Sequence, residues 1–165
     1  MPEDRETYQI LLDTAFRLLS LRPRSKKELE DKLRKKLQKC RVEDENLLET
    51  VIVRLEELGY INDGEFAEWW IKQRYGAKPK GSYSIQHELQ EKGISRNLIT
   101  SLLEGSVGDE RQAARRLADK RISAYRHMPK MSQKNKLRDY LARRGFSFDI
   151  IDGVVDEIIE KDYNI

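Results

Sequence analysis

The residues of this chain that could carry out chemistry are few and stand apart from one another in the sequence. His87 and His127 are the only histidines, and neither belongs to a Cys/His/Asp cluster at a metal-ligand spacing. Cys40 is the single cysteine, and no base stands beside it to make it a nucleophile. The chain also lacks a glycine-rich phosphate loop, an HExxH pair and a GxSxG turn. We therefore expect a protein that is not an enzyme, binds no metal and needs no cofactor.

The basic residues are a stronger signal, because they form three groups that each begin with an arginine. Together the three groups contain Arg22, Arg24, Lys26, Lys27, Arg74, Lys78, Lys80, Arg121, Arg126 and Lys130. A lone arginine at the end of a helix could simply interact with the negative end of the helix dipole, and this interaction is worth ~0.3–1 kcal/mol. The cations that follow each arginine have no such explanation, and they could serve solubility or bind a partner. A stripe made of the three groups would suit a polyanion or an acidic protein groove.

A repeated pattern determines where these groups stand. The pattern Ala15-x-x-Leu18-Leu19-x-x-Arg22 returns with Ala67 and again with Ala114 in the first position, at spacings of 52 and 47 residues. A second pattern, Leu89-x-x-x-Gly93-Ile94-Ser95, returns 52 residues later with Gly145 in the place of Gly93. Self-similarity at this period is typical of tandem helical arrays, which present long surfaces to large partners. We predict three repeats, over residues 1–61, 62–108 and 109–165.

Each repeat is predicted to contain three helices, so the fold class is all-α. In the first repeat, apolar residues recur at helical spacing from about residue 5 to residue 21, and Pro23 ends that helix. Ser25-x-x-Glu28 is a capping box that opens the second helix, and Asp44 is expected to cap the third. The same logic places caps at Asn62 and, in the third repeat, at Ser132. We expect the last helix to fray after Ile159.

Composition supports a charged molecule with a thin core. Lys, Arg, Asp and Glu make up 37% of the 165 residues, and no apolar run approaches the ~20 residues of a membrane span. Residues 17–41 contain eleven Lys or Arg against three acids, whereas residues 42–70 contain one against nine. A single cysteine excludes a disulfide within the chain and suits a reducing cytoplasm. We expect a cytoplasmic protein that makes no contact with membranes.

Two adjacent tryptophans have different expected roles. Trp69 and Trp70 could offer a stacking platform for nucleic-acid bases. Trp70 occupies the repeat position of Leu18 and Leu117, so we predict that it belongs to the core, where truncation to Ala would cost ~3–5 kcal/mol. Trp69 is the better candidate of the two for an exposed recognition residue.

Three segments of the chain carry a resemblance to a known family. They are Ala15-x-x-Leu18-Leu19-Ser20-x-Arg22-x-Arg24-Ser25-x-x-Glu28-Leu29, Leu58-Gly59-Tyr60-Ile61-Asn62-Asp63-x-x-Phe66-Ala67 and Lys80-Gly81-x-x-x-Ile85-x-x-Glu88-Leu89-x-x-Lys92-Gly93-Ile94-Ser95. In this order they resemble the RecX regulatory proteins over nearly the whole chain. The segment 38–45 departs from the family's Lys-Gly turn, and the loop 76–81 departs from the Gly-Pro that the family often has.

The resemblance implies three tandem three-helix repeats in a curved, elongated molecule. It also implies a non-enzymatic regulator that binds the filament of the RecA recombinase on single-stranded DNA. Such a regulator would restrain the recombinase and coprotease activities of RecA in DNA repair and the SOS response. The expected partners are the RecA filament and single-stranded DNA, with double-stranded DNA as a further candidate, and the expected state is a monomer.

Two other functions remain open on the sequence. The first is a helical-repeat module that binds DNA directly and acts without RecA. The second is a helical scaffold for an unrelated cytoplasmic partner. Binding that falls steeply with salt would favour the DNA-binding module, because phosphate contacts release counterions.

Overall fold

The computed structural model describes residues 2–163, and every regular element within that range is helical. The nine α-helices of this range are α1 (Pro2–Leu21), α2 (Lys26–Lys39), α3 (Glu45–Glu57), α4 (Asp63–Tyr75), α5 (Ser82–Glu91), α6 (Arg96–Glu104), α7 (Val107–Ile122), α8 (Lys130–Arg143) and α9 (Phe148–Tyr163). A 3₁₀ helix, Ser123–Tyr125, follows α7. The helices fall into three sets of three along the chain, which confirms the all-α fold of three tandem three-helix repeats.

The repeat signature corresponds to a repeated packing position. Ala15, Ala67 and Ala114 are all fully buried in the first helix of their repeat. A methyl group at this position lets a neighbouring helix approach closely, and each added methylene would have to displace packed atoms. The recurrence of alanine therefore marks a position that is fully buried in all three repeats.

The predicted helix starts at Ser25, Asp44 and Asn62 are confirmed in detail. The Ser25 hydroxyl accepts from the Glu28 amide at 3.2 Å, and the Glu28 carboxylate accepts from the Ser25 amide at 3.4 Å, which completes the capping box. Asp44 accepts from the Leu47 amide at 2.9 Å, and Asn62 accepts from the Glu65 amide at 3.0 Å. These bonds satisfy amides that the first turn of a helix leaves without a partner.

Two boundaries in the third repeat differ from the sequence prediction. Helix α8 begins at Lys130, so Ser132 lies inside its first turn and does not cap it. Pro129 precedes the helix with φ −56° and ψ 147°, and this extended residue with a fixed φ sets the start three residues earlier than a cap at Ser132 would. Helix α9 runs to Tyr163 rather than ending near Ile159, because Ile158 and Ile159 are buried and hold the last turns against the core.

The chain forms two compact units, residues 1–69 with 91–95 and residues 70–90 with 96–165. In the first unit, α1, α2 and α3 pack on one another around an aliphatic core. That core consists of Leu11, Ala15, Leu29, Leu33, Leu37, Leu48, Val51, Ile52, Leu55 and Ile61. The second helix contributes one leucine per turn, at the spacing that the sequence predicted.

The second unit has its own core, in which α7, α8 and α9 pack on one another. Helix α9 contributes the largest share, because it buries Ile150, Ile151, Val154, Val155, Ile158 and Ile159. Helices α5 and α6 bury Ile85, Leu89 and Ile99 in the same unit. The basic groups identified in the sequence lie at the edges of these two cores.

Candidate interaction surfaces

The basic loop of the first repeat is held by hydrogen bonds within the protein. Arg22 directly follows α1 and donates to the two carboxylate oxygens of Glu28 at 2.9 and 3.1 Å. Arg24 donates from Nε to the Leu18 carbonyl at 3.0 Å. Burial, and then the nearby charge of Arg22, lowers the pKa of Arg24. Both arginines therefore fix the angle between α1 and α2 before any partner arrives.

Glu28 is the centre of this network. Lys92 donates to it from Nζ at 2.6 Å, in addition to the two bonds from Arg22. Burial alone would raise the pKa of the Glu28 carboxyl, but the hydrogen bonds from Arg22 and Lys92 outweigh it and lower the pKa to about 2. The carboxylate therefore stays charged across the neutral and mildly acidic range and links three chain segments.

The two lysines that open α2 are also engaged. Lys26 pairs with Glu56 on α3 at 3.1 Å, and the hydrogen bond to Glu56 raises the pKa of Lys26. Lys27 donates from Nζ to the Glu91 carbonyl at 2.9 Å. The members of the predicted basic stripe that come from the first repeat thus have internal partners in this structure.

The start of α2 is also a joint to the next repeat, within the first compact unit. The Ser25 hydroxyl donates to the Lys92 carbonyl at 2.7 Å, and the Lys26 amide donates to Asp63 at 2.9 Å. The Lys27 side chain lies over Gly93, so close that a Cβ on Gly93 would stand 2.8 Å from the Cβ of Lys27. Gly93 has φ 82°, which favours glycine at this turn.

An equivalent joint connects the second repeat to the third, within the second compact unit. The Gly81 amide donates to the Arg144 carbonyl at 2.9 Å, and the Tyr83 amide donates to the Gly145 carbonyl at 3.0 Å. Gly145 stands 52 residues after Gly93 and has nearly the same φ, 81°. The start of the second helix in one repeat therefore packs on the turn before the third helix of the next.

A carboxylate in the first helix of the following repeat completes each joint. Asp63 accepts from the Lys26 amide, and Glu110, 47 residues later, accepts from the Ser82 amide at 2.9 Å. Glu110 is only 3% exposed. Each carboxylate satisfies an amide at the start of a second helix, where the helix dipole favours negative charge.

The cations of the second repeat surround Glu88 on α5. Arg74 and Trp70 donate to one carboxylate oxygen at 2.6 and 2.8 Å, and Lys80 pairs with the other oxygen. Burial would raise the pKa of Glu88, but the bonds from Lys80, Arg74 and Trp70 lower it. Lys78, by contrast, is exposed.

Trp70 is half-buried rather than part of the core, so the core prediction for this residue is wrong. Its indole N–H reaches Glu88, and the Arg74 guanidinium lies 4.4 Å from its ring centroid. Leu18 and Leu117, at the same position of the other repeats, are also half-buried. This repeat position lies at the edge of the buried apolar face of the helix. An indole at that edge can keep its N–H on a charged partner outside the core. Trp69 is half-buried too, and its ring lies 6.0 Å from that of Phe66.

The third repeat replaces the ion pair with aromatic rings. Arg121 donates to the Tyr125 hydroxyl at 3.0 Å and lies 5.5 and 5.4 Å from the ring centroids of Tyr125 and Tyr140. Tyr140 stands 52 residues after Glu88, so a ring occupies the place of the carboxylate. Arg126 and Lys130 complete this basic group, and both are exposed.

The remaining candidates for chemistry lie on the surface. His87, His127 and Cys40 are exposed. Over the residues that the structure describes, no group of three or more His, Cys, Asp or Glu side chains could hold a metal ion. No helix in that same part of the chain is both long enough and apolar enough to pass through a lipid bilayer.

Comparison with known proteins identifies the family. Models of the first, second and third three-helix domains of RecX match residues 12–37, 62–103 and 109–155. The regulatory protein RecX of Amycolatopsis mediterranei is 31% identical over 162 residues, which cover 97% of this chain and 88% of that protein. The chain belongs to the RecX family of regulatory proteins. The RecX of Cronobacter sakazakii is 35% identical over 91% of this chain and 93% of that protein.

The solved RecX structures share this fold. The crystal structure of RecX from Lactobacillus salivarius has a TM-score of 0.81 and 28% identity, and the match covers 93% of this chain and 97% of that one. A second RecX crystal structure, at 22% identity, matches with a TM-score of 0.74. Family membership therefore rests on both the sequence and the arrangement of the helices.

Sequence reasoning found the basic residues of this RecX protein but missed their internal partners. Glu28 and Glu88 lie on the second helices, six and fourteen residues after the arginines that they bind. The signal that could have found them is the pairing of a helix-ending arginine with an acid in the first turns of the next helix. That pairing occurs in the first two repeats and is replaced by Tyr140 in the third.

Proposed function

We propose that this RecX-family protein binds the RecA recombinase filament and restrains its recombinase and coprotease activities, as part of DNA repair and the SOS response. The observation that carries the proposal is membership of a regulatory family over nearly the whole chain, including all three helical domains. The protein would act by binding, without a cofactor and as a cytoplasmic monomer. It would block filament growth or promote disassembly.

The physical basis of the proposal is many weak contacts made by one chain. Three repeats can reach several protomers of a filament, and contacts on a common chain reinforce one another through effective concentration. The exposed cations Lys78, Arg126 and Lys130 are suited to acidic protein surfaces or to DNA phosphates. Arg22 and Arg74 would instead stabilise the conformation of these loops, because they are bound to Glu28 and Glu88.

A strand-exchange assay with purified RecA, single-stranded circular DNA and linear duplex tests the proposal. We expect the protein to inhibit product formation when it is added at or below the concentration of RecA. Normal strand exchange at a stoichiometric amount of the folded protein would reject the proposal.

The second candidate function is a DNA-binding module that acts without RecA. Its support is the excess of positive charge in the third repeat, where residues 109–145 contain twelve Lys or Arg against four acids. This function predicts DNA affinity with a steep salt dependence, with a slope of about −0.7 per phosphate contact on single strands. It also predicts that inhibition of strand exchange disappears when the DNA is in large excess.

A further inference from the structure

We infer that a groove between α1 and α2 of the first repeat binds the phosphate backbone of a nucleic acid. The groove has a volume of about 490 Å³ and is lined by Thr14, Arg17, Leu18, Lys32, Lys35, Lys36, Gln38 and Lys39. Five of these eight residues are cations, and among the described residues no Asp or Glu lines the groove. None of the five belongs to the basic stripe that the sequence predicted.

The groove cations differ from the loop cations of the first repeat, because their side chains have no partner among the described residues. Within residues 2–163, the side chains of Arg17 and of the four groove lysines form no ion pair and donate no hydrogen bond. Of the three acids on α2, Glu28 binds Arg22 and Asp31 lies 3.6 Å from Arg34, and none of the three, including Glu30, lines the groove. The positive charge of the groove is therefore available to a ligand.

The arrangement of the lysines works against the stability of the helix that carries them. Lys32 and Lys35, and Lys36 and Lys39, are three residues apart, and Lys36 and Lys39 each stand four residues after Lys32 and Lys35, which places all four on one face of α2. Like charges at such spacings destabilise a helix by ~0.2–0.5 kcal/mol per pair. Solubility alone would be served equally well by lysines spread around the helix. A bound anion that neutralises them together would offset the repulsion.

The lining favours phosphates over an acidic protein segment. Protein interfaces are enriched in aromatic residues, Met and Arg and depleted in Lys, whereas four of the five groove cations are lysines. The described lining contains no aromatic side chain, and its apolar part is the half-buried Leu18 with the aliphatic stems of the lysines. Lys32 to Lys39 span seven residues, about 10 Å of helix, over which one strand of a DNA duplex rises by roughly three phosphates.

This inference deepens the proposed function, because a RecA filament carries a DNA strand, but it is tested with DNA alone. The measurement is the anisotropy of a fluorescently labelled oligothymidylate titrated with the full chain at several salt concentrations. The groove variant is Lys32→Gln with Lys35→Gln and Lys39→Gln, all three at exposed positions. The matched control removes the same charge through Lys72→Gln, Lys120→Gln and Lys136→Gln, which are also exposed.

We expect the groove variant to bind at least about tenfold more weakly near 0.1 M salt and to lose roughly 2 from the salt slope, since three contacts are removed. The control variant should lose less than about threefold in DNA affinity. Arg17→Gln, on the opposite wall, should reduce the slope by about 0.7 with an unchanged helix signal in circular dichroism. Equal losses in groove and control variants, or a groove variant that binds as the unmodified chain does, would overturn the inference.

A further titration replaces the DNA with a labelled polyglutamate of similar charge. Binding of polyglutamate as tightly as DNA, with the same loss in the groove variant, would show that the groove serves an acidic protein and would also overturn the inference. The proposed function fails separately, through an absence of effect on strand exchange. If the chain binds DNA through the groove but has no effect on RecA, the result supports this inference and contradicts the proposed regulatory function.

Discussion

Gly81 and Phe146 are in direct backbone contact at the joint between the second and third repeats. A Cβ added to Gly81 would stand 2.1 Å from both the Cα and the amide nitrogen of Phe146. Neither atom can move as the end of a flexible side chain could, so the whole loop would have to shift. The joint between the repeats therefore depends on the absence of a single methyl group.

The first prediction follows from this contact. Gly81→Ala should destabilise the protein by about 2 kcal/mol or more, since overpacking against backbone forces the loop away and breaks its bond to the Arg144 carbonyl. Urea denaturation followed by circular dichroism measures the change. Gly108→Ala is the control, because nothing lies within 4 Å of a Cβ at this position in α7 and alanine favours a helix. Equal stability of the two variants would contradict the packing that is described here.

The second prediction concerns the stability of the protein at acidic pH. The folded pKa of Glu28 is about 2, below its ordinary value of 4.5, so its contribution to stability is present above about pH 4.5 and is lost as the pH falls toward 2. Glu28→Gln should cost ~1–3 kcal/mol near pH 7 and should flatten the loss of stability below pH 4.5. Thermal denaturation at pH 7 and at pH 3 measures both effects.

The control for the acid prediction is Glu68→Gln, because Glu68 is exposed and forms no ion pair with any residue from 2 to 163. This variant should retain the stability of the unmodified protein within ~0.5 kcal/mol at both pH values. If Glu28→Gln behaves as Glu68→Gln does, the network around Glu28 contributes little and the pKa argument is wrong.

The third prediction separates structural cations from cations that are free to bind. Arg24→Glu should destabilise the protein by about 1–3 kcal/mol, because it removes the bond to the Leu18 carbonyl and places a carboxylate near Glu28. Lys78→Glu should change stability by less than ~0.5 kcal/mol, since Lys78 is exposed. Under the proposed function Lys78→Glu should nevertheless weaken inhibition of strand exchange. Full inhibition by a folded Lys78→Glu variant would remove Lys78 from the interface.

The fourth prediction uses the bond between Trp70 and Glu88. Trp70→Phe keeps a ring beneath Arg74 but removes the indole N–H, so it should cost ~0.5–1.5 kcal/mol. Because Trp70 is half-buried, Trp70→Ala should cost less than the ~3–5 kcal/mol of a core truncation. Chemical denaturation of both variants measures these costs. A loss above about 4 kcal/mol for Trp70→Phe would show that the indole packs in the core after all.

Much of the fold could be predicted because it depends on local rules. The spacing of Ala15, Ala67 and Ala114 identified the repeated packing position, and the Ser25 capping box set the start of α2, since both signals lie within a few residues of the feature that they determine. The predicted start of α8 was wrong by three residues, because Pro129 and not Ser132 precedes the first helical residue. Element boundaries depend on such competition between neighbouring residues.

The candidate surfaces were harder to predict, because charge in a sequence does not show which charges are paired. Lys26 and Lys27 stand in a basic run, yet their partners, Glu56 and the Glu91 carbonyl, come from segments 30 and 64 residues away that the fold brings near. The cations of the α1–α2 groove share a cleft because Arg17 on one helix faces the lysines of the next. The spacing of the four lysines places them on one face of α2, but only packing brings Arg17 of α1 opposite them, so the sequence alone does not mark the groove.

The central claim is that this RecX-family chain binds the RecA filament. Its most direct test is the fluorescence anisotropy of the chain labelled at Cys40, its single and exposed cysteine, during titration with RecA filaments assembled on single-stranded DNA. Titrations with the same DNA alone and with RecA alone run beside it. The account predicts that the labelled chain binds the filament more tightly than either component by itself. Affinity for the filament no greater than affinity for bare DNA would contradict it.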